Sequence, residues 1–262
     1  MVNLFKLIDT FTQVSGLKLN VNKSPAMWLG SKRFSNEKPF DVEWPKKPIK
    51  ALGVYFSYNE VEAEGMNFEP KLQKLKSILN VWKMRNLTLA GKILLIKTYA
   101  LSQFIYLASV LPVPINIIHQ IDKIIYNFLW KGGKGFVKRN TIIGNIEEGG
   151  LKMVNINTMF KALIIKWVQR YQNENEAAWK KMFNTFMYPY GGSIIFHCNT
   201  NIMQVKNWKN VPKFYKEVLI SYYELINPDE VDILSQRVWN NHRICIDGVP
   251  CYENICFQGV LS

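Results

Sequence analysis

From Leu72 to Phe128, apolar residues recur at helical spacing in three successive runs, and nearly every charge between them is positive. Leu72, Leu75, Ile78, Leu79 and Trp82 make one face of the first run. Thr88 can cap a second running to about Leu111, and a third opens after Pro114 and carries Ile117, Ile118, Ile121, Ile124, Ile125 and Phe128 to Trp130. Such a stretch predicts packed helices with apolar inner and basic outer faces. Between Lys71 and Ile146 stand twelve Lys or Arg and one acid, Asp122. Residues 1–70 carry nine bases against eight acids and 147–262 twelve against eleven, so +11 of the net +13 sits in the middle. A solvated basic face is the plain reading. The one-sided excess, with Trp82, Tyr99, Tyr106, Tyr126 and Trp130 interleaved, favours contact with phosphate backbones, where each neutralised phosphate releases counterions. Lys74 and Arg85, eleven positions apart, return to nearly one azimuth on a helix and could line a groove.

At 262 residues, 48% hydrophobic and 13% aromatic, the chain can bury a substantial core in one large or two ordinary domains. Leu4, Leu7, Ile8, Phe11 and Val14 keep helical spacing before a Ser15-Gly16 stop. With Asp9 inside that helix, the start lacks the apolar core of a secretory signal, so an intracellular protein, in nucleus or cytoplasm, is expected. Leu17–Asn20 and Ala26–Gly30 read as extended pieces, and residues 31–48 as a polar connection. Ile49–Phe56 reads as a β run in which Gly53 marks a bulge or close approach. Glu60, Glu62, Glu64 and Glu69 fill a loop before Pro70, in the first turn of a helix.

Thr98–Ile118 has no charge, but Ser102, Gln103, Ser109, Pro112 and Pro114 make it a buried helix rather than a membrane span. Further helices are expected over about 157–172 and 213–226, and a hairpin over 244–256 around Asp247-Gly248. Cys198, Cys245, Cys251 and Cys256 form no Cys-x-x-Cys pair. With His242 the last three could make a three-sulfur, one-nitrogen site, yet their irregular spacing favours reduced, buried thiols, and no metal is expected. The fold class is α+β, mostly α: a short β-hairpin, a helical bundle and a mixed C-terminal region.

Phe11-Thr-Gln-Val-Ser-Gly-Leu-Lys-Leu-Asn-Val-Asn-Lys-Ser24, the Ile49–Phe56 strand and Trp82-Lys-Met-Arg-Asn-Leu-Thr-Leu-Ala-Gly-Lys-Ile93 together resemble the reverse transcriptases of LINE-type, non-LTR retrotransposons. Phe128-Leu-Trp130, the Gly149-Gly-Leu151 turn and Gln236–Asn241 extend the resemblance over nearly the whole chain. It implies that Lys23 ends a palm motif and donates a proton to departing pyrophosphate. Leu52, Gly53, Val54, Tyr55 and Phe56 would be a primer grip. The helices carrying Lys71, Lys74, Lys83, Arg85, Lys92 and Lys97 would form a thumb that tracks an RNA or RNA/DNA template–primer.

On this reading residues 1–69 are the end of the palm, 70–130 the thumb and 131–262 a post-thumb region. The family's two Mg²⁺ ions are held by aspartates, including an Asp-Asp pair. The chain has no such pair, and its six aspartates (Asp9, Asp41, Asp122, Asp229, Asp232, Asp247) are scattered. The expectation is a fragment without a cofactor of its own. It would bind nucleic acid without polymerising, with an N-terminal polymerase half as a further partner and no membrane. The rival is a host-adopted scaffold that binds protein through aromatic helical surfaces.

Overall fold

The computed structural model of the chain describes residues 2–39, 41–133, 135, 137–173, 175–190, 192, 196 and 211–226, with strand pairs at 245–246 and 249–250. Among these the fold is mostly helical with short antiparallel strands, an α+β protein weighted to α. The chain divides into two compact units, residues 1–74 and 75–262. The division falls inside a long helix, as does the 69/70 boundary drawn from the sequence.

In the first unit α1 (Val2–Ser15) stops at Gly16, whose positive φ of 71° lets its N–H reach the Thr12 carbonyl at 2.9 Å. The extended pieces expected at 17–20 and 26–30 are not strands. Neither faces a partner edge: the Ala26 N–H bonds the Glu43 carbonyl outside any ladder, and Val21–Lys23 closes a 3₁₀ turn instead.

Residues 49–56 are a hairpin rather than one run. β1 (Ile49–Ala51) pairs antiparallel with β2 (Val54–Phe56), Ala51 opposite Val54. Leu52 and Gly53 form the two-residue turn, both with positive φ (48° and 80°), as a type I′ connection requires. Gly53 therefore serves the turn, and Val54 is the buried residue of the pair of strands.

The acidic segment is helix, not loop. α2 (Glu60–Lys83) begins where the Asn59 side chain accepts from the Val61 N–H, and Glu60 and Glu62 stand in its first turn, where the helix dipole favours negative charge. Pro70 lies inside it and removes one backbone hydrogen bond. Apolar burial at Phe68 and Leu72 offsets that loss.

Asn67 on α2 holds the hairpin. Its carboxamide accepts from the Tyr55 N–H at 2.8 Å and donates to the Tyr55 carbonyl at 2.9 Å and the Ala63 carbonyl at 2.8 Å. Because the site is buried, Asn67→Ala is expected to cost about 2 kcal/mol in urea unfolding and to speed exchange of the Tyr55 amide. Unchanged Tyr55 exchange in that variant would contradict the assignment.

In the second unit α3 (Leu89–Leu95) starts at Thr88, whose hydroxyl accepts from the Gly91 N–H at 3.1 Å. A π turn at Ile96–Ala100 leads into α4 (Ser102–Val110), and the two parts meet at 47°. No single helix among the described residues is long and apolar enough to cross a membrane. Ile96, Leu101, Phe104 and Leu107 are buried in the protein.

α5 (Ile115–Leu129) follows Pro114 and buries the expected isoleucine stripe, except that Ile124 is only half-buried. It ends in a Schellman arrangement. Lys131, at φ 51°, donates to the Phe128 carbonyl, and the Gly132 N–H reaches the Asn127 carbonyl at 2.9 Å.

α6 (Arg139–Ile143) and the Gly149-Gly150 turn lead to α7 (Ile156–Gln172), capped by Asn155. α7 packs on α4, α5 and α9 (Lys213–Ile226). α8 (Ala178–Met187), a helix not expected from the sequence, adds Phe183 and Met187 to the core around Ile164, Val168, Tyr215 and Leu219. β3 (Cys245–Ile246) and β4 (Val249–Pro250) pair antiparallel, and the Asp247-Gly248 turn expected between them lies outside the described residues. Cys198, Cys251, Cys256, His242 and Gln236–Asn241 lie outside the described residues.

Candidate nucleic-acid interface

Helical periodicity brings bases together between α2 and α5. Lys76 and Lys83, seven residues apart, fall on one face of α2, and Lys123 rises from α5. Two adjoining hollows of about 250 and 490 Å³ share Lys76, Ile124 and Asn127 as walls. Asn80 and Lys83 line the first, Gln120 and Lys123 the second. No acidic side chain is among the residues lining them. The carboxamides of Asn80, Gln120 and Asn127 can donate or accept, so the groove offers three ammonium groups and three amides to one extended anion.

The neighbouring charges are occupied. Asp122 lies 3.9 Å from Arg139, whose guanidinium sits 4.2 Å from the centre of the Tyr126 ring. Burial raises the Asp122 carboxyl above its ordinary range, opposed by Arg139 and His119. Burial likewise raises the Tyr126 hydroxyl.

Two of the bases expected to meet a backbone stand elsewhere. Lys92 is 7% exposed, and its ammonium donates to the carbonyls of Leu129 at 2.6 Å and Phe128 at 3.3 Å. It caps the C-terminal end of α5, where a cation offsets the helix dipole. Burial first, and then Lys131, push the Lys92 ammonium below its ordinary range. This side chain ties α3 to the end of α5, with two of its three N–H donors given to carbonyls and the group buried away from a backbone in solvent.

Arg85 is past the end of α2, so the eleven-residue azimuth argument fails for it. Its guanidinium lies 4.7 Å from the centre of the Trp82 ring. Lys83 lines the groove, and Lys97 is exposed on the π turn. Lys76 and Lys123 belong to the basic stretch, and composition alone does not set them apart from its other bases. The seven-residue spacing of Lys76 and Lys83 was the signal for one of them, whereas Lys123 needed the packing of α5.

In the first unit Lys23 ends the Val21–Lys23 turn and is exposed, as is Lys74, while Lys71 is half-buried. Leu52 projects from the hairpin turn, 91% exposed, beside Gly53. Tyr55 is tied to Asn67 and lies under the Lys50 ammonium, and Phe56 faces outward. Among the described residues no group of three His, Cys, Asp or Glu is placed to hold a metal ion.

No protein-family model matches the chain. Over 167 residues, 62% of its length, it is 28% identical to the uncharacterized 149 kDa protein of transposon TX1 from Xenopus laevis. The chain is similar to a transposon-encoded protein. Over 113 residues, 41% of its length, it is 27% identical to a protein of Arabidopsis thaliana that carries the name ribonuclease H protein. The aligned segments are 13% and 18% of those proteins, so the chain spans a small part of each. Together these similarities support a retrotransposon-related protein.

Proposed function

We propose that the chain is the duplex-holding part of a LINE-type reverse transcriptase, and that the groove between α2 and α5 takes the sugar-phosphate backbone of an RNA or RNA/DNA template–primer. The observation that carries this reading is the acid-free wall of Lys76, Lys83 and Lys123. Three ammonium groups neutralise phosphates and release their counterions, which drives binding without reading sequence. The amides between them can bond sugar hydroxyls, the feature that distinguishes RNA. Lys23 and the Leu52-Gly53 turn are the positions that the resemblance makes a proton donor and a primer grip. With no Asp-Asp pair in the sequence, the chain alone adds no nucleotide in this account.

The test is anisotropy of a labelled RNA/DNA duplex with the full chain between 50 and 200 mM salt. Affinity should fall steeply, by about 0.9 log units per log unit of salt for each phosphate neutralised, and alike for unrelated sequences. Binding that ignores salt would overturn the proposal and favour docking of a protein on the exposed aromatic surfaces.

A further inference from the structure

A different set of residues, all in the first unit, gathers aromatic rings and bases around a cleft of about 350 Å³. It is lined by the rings of Trp28, Phe34, Trp44 and Tyr58 and by Arg33, Lys38 and Lys46. The loop that builds it is pinned. The Trp28 indole N–H donates to the Glu37 carbonyl at 2.7 Å, and the Trp28 and Trp44 rings lie 5.4 Å apart at 35°. Cations already sit on two of the rings, Lys32 at 5.3 Å from the centre of Trp28 and Arg33 at 4.8 Å from that of Phe34. Phe34 is nonetheless 78% exposed, so the ring face that Arg33 does not cover is open to solvent. Glu37 is the one acid among the described lining residues. Asp41 and Glu43, on the same loop, do not line the cleft.

We infer that this cleft binds a single-stranded nucleic-acid segment by stacking its bases. The combination has a chemical reason. An exposed phenyl left in water is unfavourable unless a flat apolar partner covers it, and each nucleobase presents such a face whatever its sequence. Arg33, Lys38 and Lys46 line the same cleft and supply charge for the phosphates of a stacked strand, and bases between aromatic rings and guanidinium planes are a recurrent mode of single-strand recognition. A duplex, whose bases are stacked on one another, has no face to offer Phe34. The ligand is therefore an unpaired template or primer extension, or a loop of RNA, rather than the duplex assigned to the α2–α5 groove.

The experiment compares the full chain with its Phe34→Ala and Lys46→Gln variants, both exposed positions whose replacement spares the Trp28 hydrogen bond. The probes are a labelled oligo(U), a blunt RNA/DNA duplex and the same duplex with a single-stranded extension. Phe34→Ala should weaken oligo(U) binding at least about fivefold, the low end for loss of one base–aromatic stack. It should also abolish the gain from the extension and leave the blunt duplex unchanged. Lys46→Gln should weaken oligo(U) and flatten its salt slope by about 0.7.

Wild-type oligo(U) affinity in Phe34→Ala would overturn the inference. So would an extension that adds nothing, or a cleft that takes a proline-rich peptide and not oligo(U). Loss of blunt-duplex binding in Phe34→Ala would also overturn it, whereas a wild-type chain that does not bind the blunt duplex is a failure of the groove proposal instead, so the two are told apart.

Discussion

Gly150→Ala is expected to destabilise the chain by more than about 4 kcal/mol, a size reserved for a few mechanisms. A methyl built on Gly150 would stand 2.1 Å from the Gly144 carbonyl oxygen, 2.3 Å from its carbon and 2.8 Å from the Asn145 oxygen. These are backbone atoms in a closed set of hydrogen bonds and cannot swing aside. Gly150 donates to the Asn145 carbonyl, Lys152 to Gly144, and Leu151 and Met153 both to Ile142. Ile142 and Met153 are core residues, so opening the turn also uncovers apolar surface. Gly149→Ala is the control: φ there is 79° and nothing lies within 4 Å, so the substitution should cost only the left-handed conformation, about 1 kcal/mol. Thermal unfolding separates them, and equal midpoints for the two variants would show that the close approach at Gly150 does not exist.

The second large effect is expected at Lys92. Lys92→Met keeps the length and apolar stem but removes the ammonium from the Leu129 carbonyl and from the Phe128 carbonyl, which keeps a backbone donor from Lys131. Loss of charged hydrogen bonds and of the cation at the helix end should cost about 2–3 kcal/mol, with Lys131 repulsion relieved in part. The sign with pH follows from the lowered pKa. Between that value and the ordinary 10.5 the unfolded chain holds the proton more tightly, so wild-type stability gains from Lys92 as pH rises through this window. Below the lowered value both states hold the proton, so this pH-dependent gain is lost there and only the hydrogen bonds to the carbonyls remain. Tyr171 and Tyr215, raised by burial, act oppositely above their ordinary 10.0, but they are common to both proteins and cancel in the difference. Denaturant unfolding at pH 7 and pH 10 should show a larger gap between wild type and Lys92→Met at the higher pH. A variant as stable as wild type at both would place Lys92 on the surface after all.

Lys92 also shows where a sequence stops being readable. The cap at Thr88, the isoleucine stripe of α5 and the span of α9 were legible because local spacing and capping decide them. Lys92 and Lys83 look alike in sequence, and only the approach of α3 to the end of α5 turns one into a buried cap. The Ile49–Phe56 run hid a hairpin because Leu52, a residue that rarely takes positive φ, occupies the turn. The acidic run before Pro70 was misread for a related reason. Helix-favouring first-turn glutamates, an Asn59 cap and burial of Phe68 outweigh one internal proline, which local rules place at a helix start. In the groove, Lys83 was visible as a base on a helix, but its partnership with Lys123 depends on packing over some forty residues of chain.

The claim that the α2–α5 groove holds a nucleic-acid backbone is tested most directly by neutralising equal charge in two places. Lys76→Gln/Lys83→Gln/Lys123→Gln and Lys166→Gln/Lys180→Gln/Lys181→Gln remove the same net charge from the full chain, and RNA/DNA duplex affinity is then measured across salt. The groove variant should lose about tenfold or more at low salt and flatten the log–log slope by nearly one unit per lysine, with the second variant close to wild type. Equal losses in both variants would mean diffuse attraction to a basic protein, and unchanged affinity in the groove variant would mean that the backbone lies elsewhere.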